Sequence, residues 1–315
     1  MSSNADYAAV LPLRTVYFDM LVIESLFYGV YVALFLVTAY TIFSRHQIHF
    51  NVIGLHIAIL LLFIFSTIHL ATKWTIVRNA YVFNGDTPLT TVDYLSAPPF
   101  SIEILESTVF STSTFIADSI LVWRTWIIWG RDARVAAIPA LATIAGAILG
   151  YLSIAQEGRF LLNKPIKSDA YVEFSTPYFY LSLGTTVLCT VLIILRIVLM
   201  SRGAKGRLRS YRSAIEMIVE SAALYSITLI GFIATGMLNI QDGYPQAMLG
   251  PMTGIAPTLI VCRVALGLSR PDPTWHTRTN ATAVRFNRSE ASDHTGRSDT
   301  VFTLSTLEPT AEGKV

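Results

Sequence analysis

Seven mostly apolar runs dominate this chain, each reaching the roughly 20 residues that a helix needs to cross a bilayer. They are Phe18–Phe43, Phe50–Thr72, Glu103–Trp129, Arg134–Gln156, Pro177–Met200, Ser213–Asn239 and Ala247–Leu268. Only 14% of the residues are charged, against about 25% in soluble domains. The expected fold is therefore all-α: a polytopic membrane protein built as a seven-transmembrane-helix bundle. Residues 1–16 are expected to form an outer N-terminal segment, 17–269 the transmembrane domain and 270–315 a tail. The tail is rich in Ser and Thr with little to bury, a composition that predicts disorder. No cleavable signal pattern opens the chain, so the first run is read as its own insertion signal.

Orientation follows from the short loops. Arg202, Lys205, Arg207, Arg209 and Arg212 crowd the connection between the fifth and sixth runs, with no acid among them. Basic loops stay cytoplasmic, which puts the N-terminus outside and the C-terminal tail inside. Trp126 and Trp129 then fall at the inner headgroup level, and Tyr178 and Tyr180 at the outer one, where such rings anchor helices. In the last run, Pro251 suits a helix start. Pro257 falls inside, where it should act as a hinge by leaving the Thr253 carbonyl without its amide.

The third run carries Asp118 and Arg124 within its apolar stretch. A charge at the centre of a lone membrane helix costs about 2.5–3.5 kcal/mol on insertion scales, so such residues face other helices or water. The small residues Ser107, Ser111, Thr112, Ser113, Thr114 and Ala117 let neighbouring backbones approach. This run is thus read as the central helix. Asp118, Arg124, Arg196, Glu216, Glu220 and Arg263 share roughly one cytoplasmic-side layer and are expected to form an ionic lock. In it, Arg124 and Arg263 pair with Glu216 or Glu220. The two glutamates lie four apart on one face, which continues through Ala223, Ile227, Gly231 and Ala234 and is read as looking inward. The plainer alternative is that an arginine near a helix end snorkels to the headgroups, Arg196 first among them.

At the other side, Glu24, His69 and Glu106 lie deep enough to line an outer pocket favouring cations or amines. The long Thr72–Ile102 connection is expected to cap it. Catalysis is not expected. The five lysines all lie outside the runs, which excludes a retinal Schiff base, and no GxSxG, P-loop or HExxH pattern occurs. Clustered metal ligands are absent from the runs, so neither metal nor cofactor is expected. The two cysteines, Cys189 and Cys262, sit in apolar runs and imply no disulfide framework.

The stretch DSILVWRTWIIWGRD, Asp118 to Asp132, resembles the D-x-x-L-x-x-R-x-x-x-x-W third helix of seven-transmembrane proteins from mushroom-forming (basidiomycete) fungi. GIAPTLIVCRVALG, Gly254 to Gly267, resembles that family's last helix, and YRSAIEMIVES, Tyr211 to Ser221, the start of its sixth. The resemblance covers most of residues 17–270 and implies a fungal multi-pass membrane protein. A wider likeness is to G-protein-coupled receptors, in span number, outer N-terminus, basic loop and Ser/Thr tail. The third run ends Trp-Gly-Arg-Asp rather than with Asp-Arg-Tyr, and Asn-Pro-x-x-Tyr is missing from the seventh. The expected function is receptor-like, in the plasma membrane, with the 201–212 loop meeting a cytoplasmic signalling protein or anionic lipid. The expected partners are the lipid bilayer and that protein, with no nucleic acid. The alternative is a transporter or channel moving a small solute through the bundle.

Overall fold

The computed structural model describes residues 2–44, 50–163, 169–201, 207–237 and 243–265. By backbone contacts the chain divides into Met1–Arg270 and Pro271–Val315. The second unit, with its expected disorder, lies outside the described residues, as do positions 202–206 of the basic loop.

The described backbone is helical almost throughout, with no strand among its residues. The helices are α1 (Ser2–Ser44), α2 (Phe50–Arg78), a π-helical turn (Asn79–Phe83), α3 (Pro88–Ser96), α4 (Phe100–Ile128), α5 (Ala133–Asn163), α6 (Asp169–Ser201), α7 (Arg207–Met237) and α8 (Tyr244–Ala265). Each predicted run overlaps one of these, although several helices extend well past it, α1 starting at Ser2 rather than Phe18 and α6 at Asp169 rather than Pro177; α3 is the extra helix. Residues 2–16 are helical and continuous with the rest of α1, whose 43 residues make about 65 Å of helix, roughly twice the hydrocarbon thickness.

Five helices, α1, α2, α5, α6 and α7, are long and apolar enough to cross a membrane. The other two long helices, α4 with 29 residues and α8 with 22, carry a larger share of Ser, Thr, Gly and Pro. Their positions explain the difference. α4 packs against α2, α5, α6 and α8, and α8 against α1, α2, α4 and α7. A helix walled in by protein has little lipid to satisfy, so Ser, Thr and Gly replace Leu and Ile and let neighbours close in. Large apolar side chains of the outer helices, such as Leu26, Ile138, Leu141 and Ile227, are instead exposed. The core is centred on Tyr31, Tyr225, Leu229, Leu249, Met252 and Ile255, contributed by α1, α7 and α8.

Pro251 and Pro257 both lie in the interior of α8. Pro251 does not start the helix as its sequence suggested; Pro245, the second helical residue, has that place, where no intrahelical amide is needed. Pro257 leaves the Thr253 carbonyl without its i+4 amide, as expected.

The Thr72–Ile102 connection is mostly ordered helix. α2 continues to Arg78, and α3 begins at Pro88 behind a capping box in which Thr87 accepts from the Thr90 amide. Leu95 of α3 then packs with Leu21 of α1 and with Ile76, Val77 and Ala80. The Tyr81 hydroxyl donates to the Arg14 carbonyl, and the Arg14 guanidinium lies 4.8 Å from that ring's centre. The segment is thus folded against α1.

Candidate functional site

His69 and Lys73 are four apart on α2, and Glu103, Ser107, Phe110 and Ser111 recur at helical spacing on α4, so each set shares a face. At the α3 end of the bundle these faces meet. His69 Nδ1 lies 2.7 Å from Glu24 Oε1 of α1, and its Nε2 lies 3.9 Å from Glu106 Oε1. Lys73 Nζ is 2.5 Å from the same Glu106 oxygen. Glu106 Oε2, fully buried, has no hydrogen-bond partner. Glu157 of α5 accepts from the Ser107 hydroxyl at 2.8 Å.

Close backbone approach makes this possible. A Cβ on Gly250 of α8 would lie 3.1 Å from His69 Nδ1, and one on Gly150 of α5 would lie 3.3 Å from the Tyr178 ring. Beside the cluster opens a pocket of about 270 Å³ between α4, α5, α6, α7 and α8. Glu106, Ser107 and Glu157 supply its polar wall, and Phe110, Phe179 and Phe232 an aromatic one. The Phe110–Phe179 and Phe179–Phe232 ring centres are 6.2 and 4.6 Å apart. Glu106 lines this pocket, whereas Glu24 and His69 brace it from behind. Residues 72–102, expected as its cap, contribute nothing to the lining. Tyr178, expected as a headgroup anchor, is instead buried in the pocket wall.

Below the pocket, Asp118 is buried at 5% exposure, within hydrogen-bonding reach of Ser182. The Ser182 and Tyr225 hydroxyls are 3.0 Å apart. A void of about 20 Å³, lined by Asp118, Thr186, Tyr225, Thr253 and Pro257 among others, has room for about one water.

The expected inner layer is brought together only in part. Arg263 Nη2 pairs with Glu220 Oε2 at 2.7 Å. Arg124, half-buried, makes no ion pair with Glu220, and the Glu216 side chain lies outside the described residues. Arg196 stacks over Trp129, 5.2 Å from the ring centre, and its Nε donates to the Ile128 carbonyl at 3.4 Å. It is not part of the Glu220 pair. Asp118 is not in the layer either, because six residues separate it from Arg124: about 9 Å along α4 and about 120° apart around it. The Glu220 face of α7 is not uniformly inward: Ile227 on it is 67% exposed, whereas Gly231 abuts Pro245 of α8, and Ser221, Tyr225, Thr228 and Leu229 are the buried residues.

Lys73 and Glu157 escaped the sequence reading for one reason. Hydropathy marks where a helix leaves apolar surroundings, not where it ends. Both residues stand one position past a predicted run, on helices that continue to Arg78 and Asn163.

No protein-family model, curated protein or solved structure matches the chain. The class is therefore defined by the architecture itself. By the length and composition of its helices, this is an all-α, multi-pass integral membrane protein.

Proposed function

We propose that this chain is a seven-span, receptor-like protein of the plasma membrane that takes a small ligand from outside. In this reading α4 and α8 are spans as well, their Ser, Thr and Gly tolerated because other helices surround them. The α3 end is outer and the basic 201–212 loop inner, by the asymmetry of Lys and Arg. The observation that carries the reading is the 270 Å³ pocket at that outer end, with its polar and aromatic walls. Its deep side is packed with Tyr178 and Leu249, both buried, which suits binding better than passage. Ligand binding would bias the inner ends of α6, α7 and α8, where the Arg263–Glu220 pair joins α7 to α8. The inner loop then meets a cytoplasmic signalling protein.

Transport is the second reading. Asp118 and the small void beside the freed Thr253 carbonyl favour it, as a polar step near the middle of the bundle.

Agonist-free coupling in cells expressing a panel of G-protein α subunits tests the first reading. Glu220→Gln frees Arg263 and is expected to raise basal coupling over wild type. Absence of coupling in both proteins, with solute uptake by proteoliposomes, would transfer the case to transport.

A further inference from the structure

We propose that the pocket selects an organic ammonium that carries at least one N–H, attached to a single aromatic ring or a similarly compact apolar body. The inference rests on the reading of the pocket as a ligand site and names what that site takes.

Charge pairing is the first argument. Glu24 is matched by His69, and Lys73 by Glu106. Glu157 accepts from a serine hydroxyl, and among the described residues no cation forms an ion pair with it. The polar wall therefore has negative charge to spare, in a site where low dielectric strengthens any ion pair. The second argument is independent of the first. Glu106 Oε2 is a buried acceptor with nothing to accept from, and its residue lines the pocket. A buried acceptor of this kind is costly until a donor arrives. An ammonium N–H between Glu106 and Glu157 supplies that donor and the missing positive charge together.

The opposite wall sets the rest of the ligand. Phe110, Phe179 and Phe232 present tilted and edge-on rings, which receive a flat ring by stacking and an ammonium by its attraction to the ring face. At about 270 Å³, the pocket lies just below the usual range for small-molecule sites, which fits a one-ring amine and excludes a peptide. The orphan oxygen makes the specificity sharper than charge alone. A quaternary ammonium has the charge and no N–H, so it leaves Glu106 Oε2 unsatisfied.

The test is equilibrium binding to the full chain in nanodiscs, read by thermal shift and by calorimetry, with four probes of one shape. These are 2-phenylethylamine, its N,N,N-trimethyl derivative, 2-phenylethanol and 3-phenylpropionate. The primary amine is expected to bind and stabilise, the trimethyl derivative to bind about tenfold more weakly, and the alcohol and carboxylate not to compete. Glu157→Gln is expected to weaken amine binding by about tenfold. Glu106→Gln should do the same, and because it also strips Lys73 of its partner, Glu157→Gln is the variant that decides if Glu106→Gln fails to fold. Equal binding of amine and alcohol, amine binding unchanged in Glu157→Gln, or no binding of any probe at millimolar concentration overturns the inference. Selective amine binding without G-protein coupling would leave it standing and remove the receptor reading alone.

Discussion

Tyr31 of α1 occupies the space that a side chain at position 254 of α8 would fill: a Cβ there would lie 2.5 Å from Tyr31 Cζ and 2.6 Å from its hydroxyl oxygen. Tyr31 is itself completely buried, edge-on to Phe63 at 5.7 Å. Neither partner has room to retreat. Gly254→Ala is expected to destabilise the bundle by at least the about 1–3 kcal/mol typical of overpacking. Thermal unfolding of detergent-solubilised protein reads it. Tyr31→Leu in the same chain should recover part of the loss, a coupling that a double-mutant cycle measures. Independent, additive effects of the two changes would show that α1 and α8 do not meet here.

The Glu24–His69 contact ties α1 to α2 deep in the polar cluster, with side-chain exposures of 3% and 10%. Glu24→Gln keeps the shape and removes the charge. A charge-assisted hydrogen bond contributes about 1.5–3 kcal/mol, and a loss of that order is expected in the same unfolding assay. Gly250→Ala should act on the same contact from the other side, by pressing its new methyl on the imidazole. Wild-type stability in both variants would mean that the contact contributes nothing.

At the opposite end, Gly130 and Arg131 close α4 with φ of 72° and 67°. Nothing lies within 4 Å of a Cβ built at Gly130, so space is no obstacle to a side chain there. Backbone conformation is. Gly130→Ala is expected to cost about 1–2 kcal/mol from the left-handed backbone alone. Gly130→Asn, which tolerates that region better, should cost less. If Ala and Asn prove equal, conformation is not what selects glycine at this turn.

The long helices among the described residues were legible because apolar runs of at least bilayer length have few backbone solutions other than a helix. The polar cluster was half legible. Glu24, His69 and Glu106 drew notice as ionisable groups within or near apolar runs, and they do meet. Lys73 and Glu157 stood just beyond those runs and read as loop. The inner layer was the weakest reading. It was inferred from depth alone, and depth does not fix the direction in which a side chain leaves its helix. Asp118 and Arg124 point about 120° apart around α4, and Glu220 and Ile227 both turned out to be exposed positions of α7. Ile227, the one large residue on a face otherwise small, was the sequence signal against an inward reading.

Asp118 gives the last prediction. Its carboxyl is buried, with Ser182 and Tyr225 nearby and no cation paired with it among the described residues. An ionised carboxylate so placed costs several kcal/mol, and a protonated one gives up its charge to avoid that cost. Asparagine has the same shape, keeps an acceptor for Ser182 and carries no charge in either state. Asp118→Asn is therefore expected to unfold at the same temperature as wild type or a few degrees higher. Asp118→Ala, which removes the hydrogen-bonding group and enlarges the void of about 20 Å³, should unfold lower than both. If Asn instead destabilises as much as Ala, a positive charge must compensate Asp118 in the folded protein, and α4 would then be held by an ion pair rather than by its small, hydroxyl-bearing face.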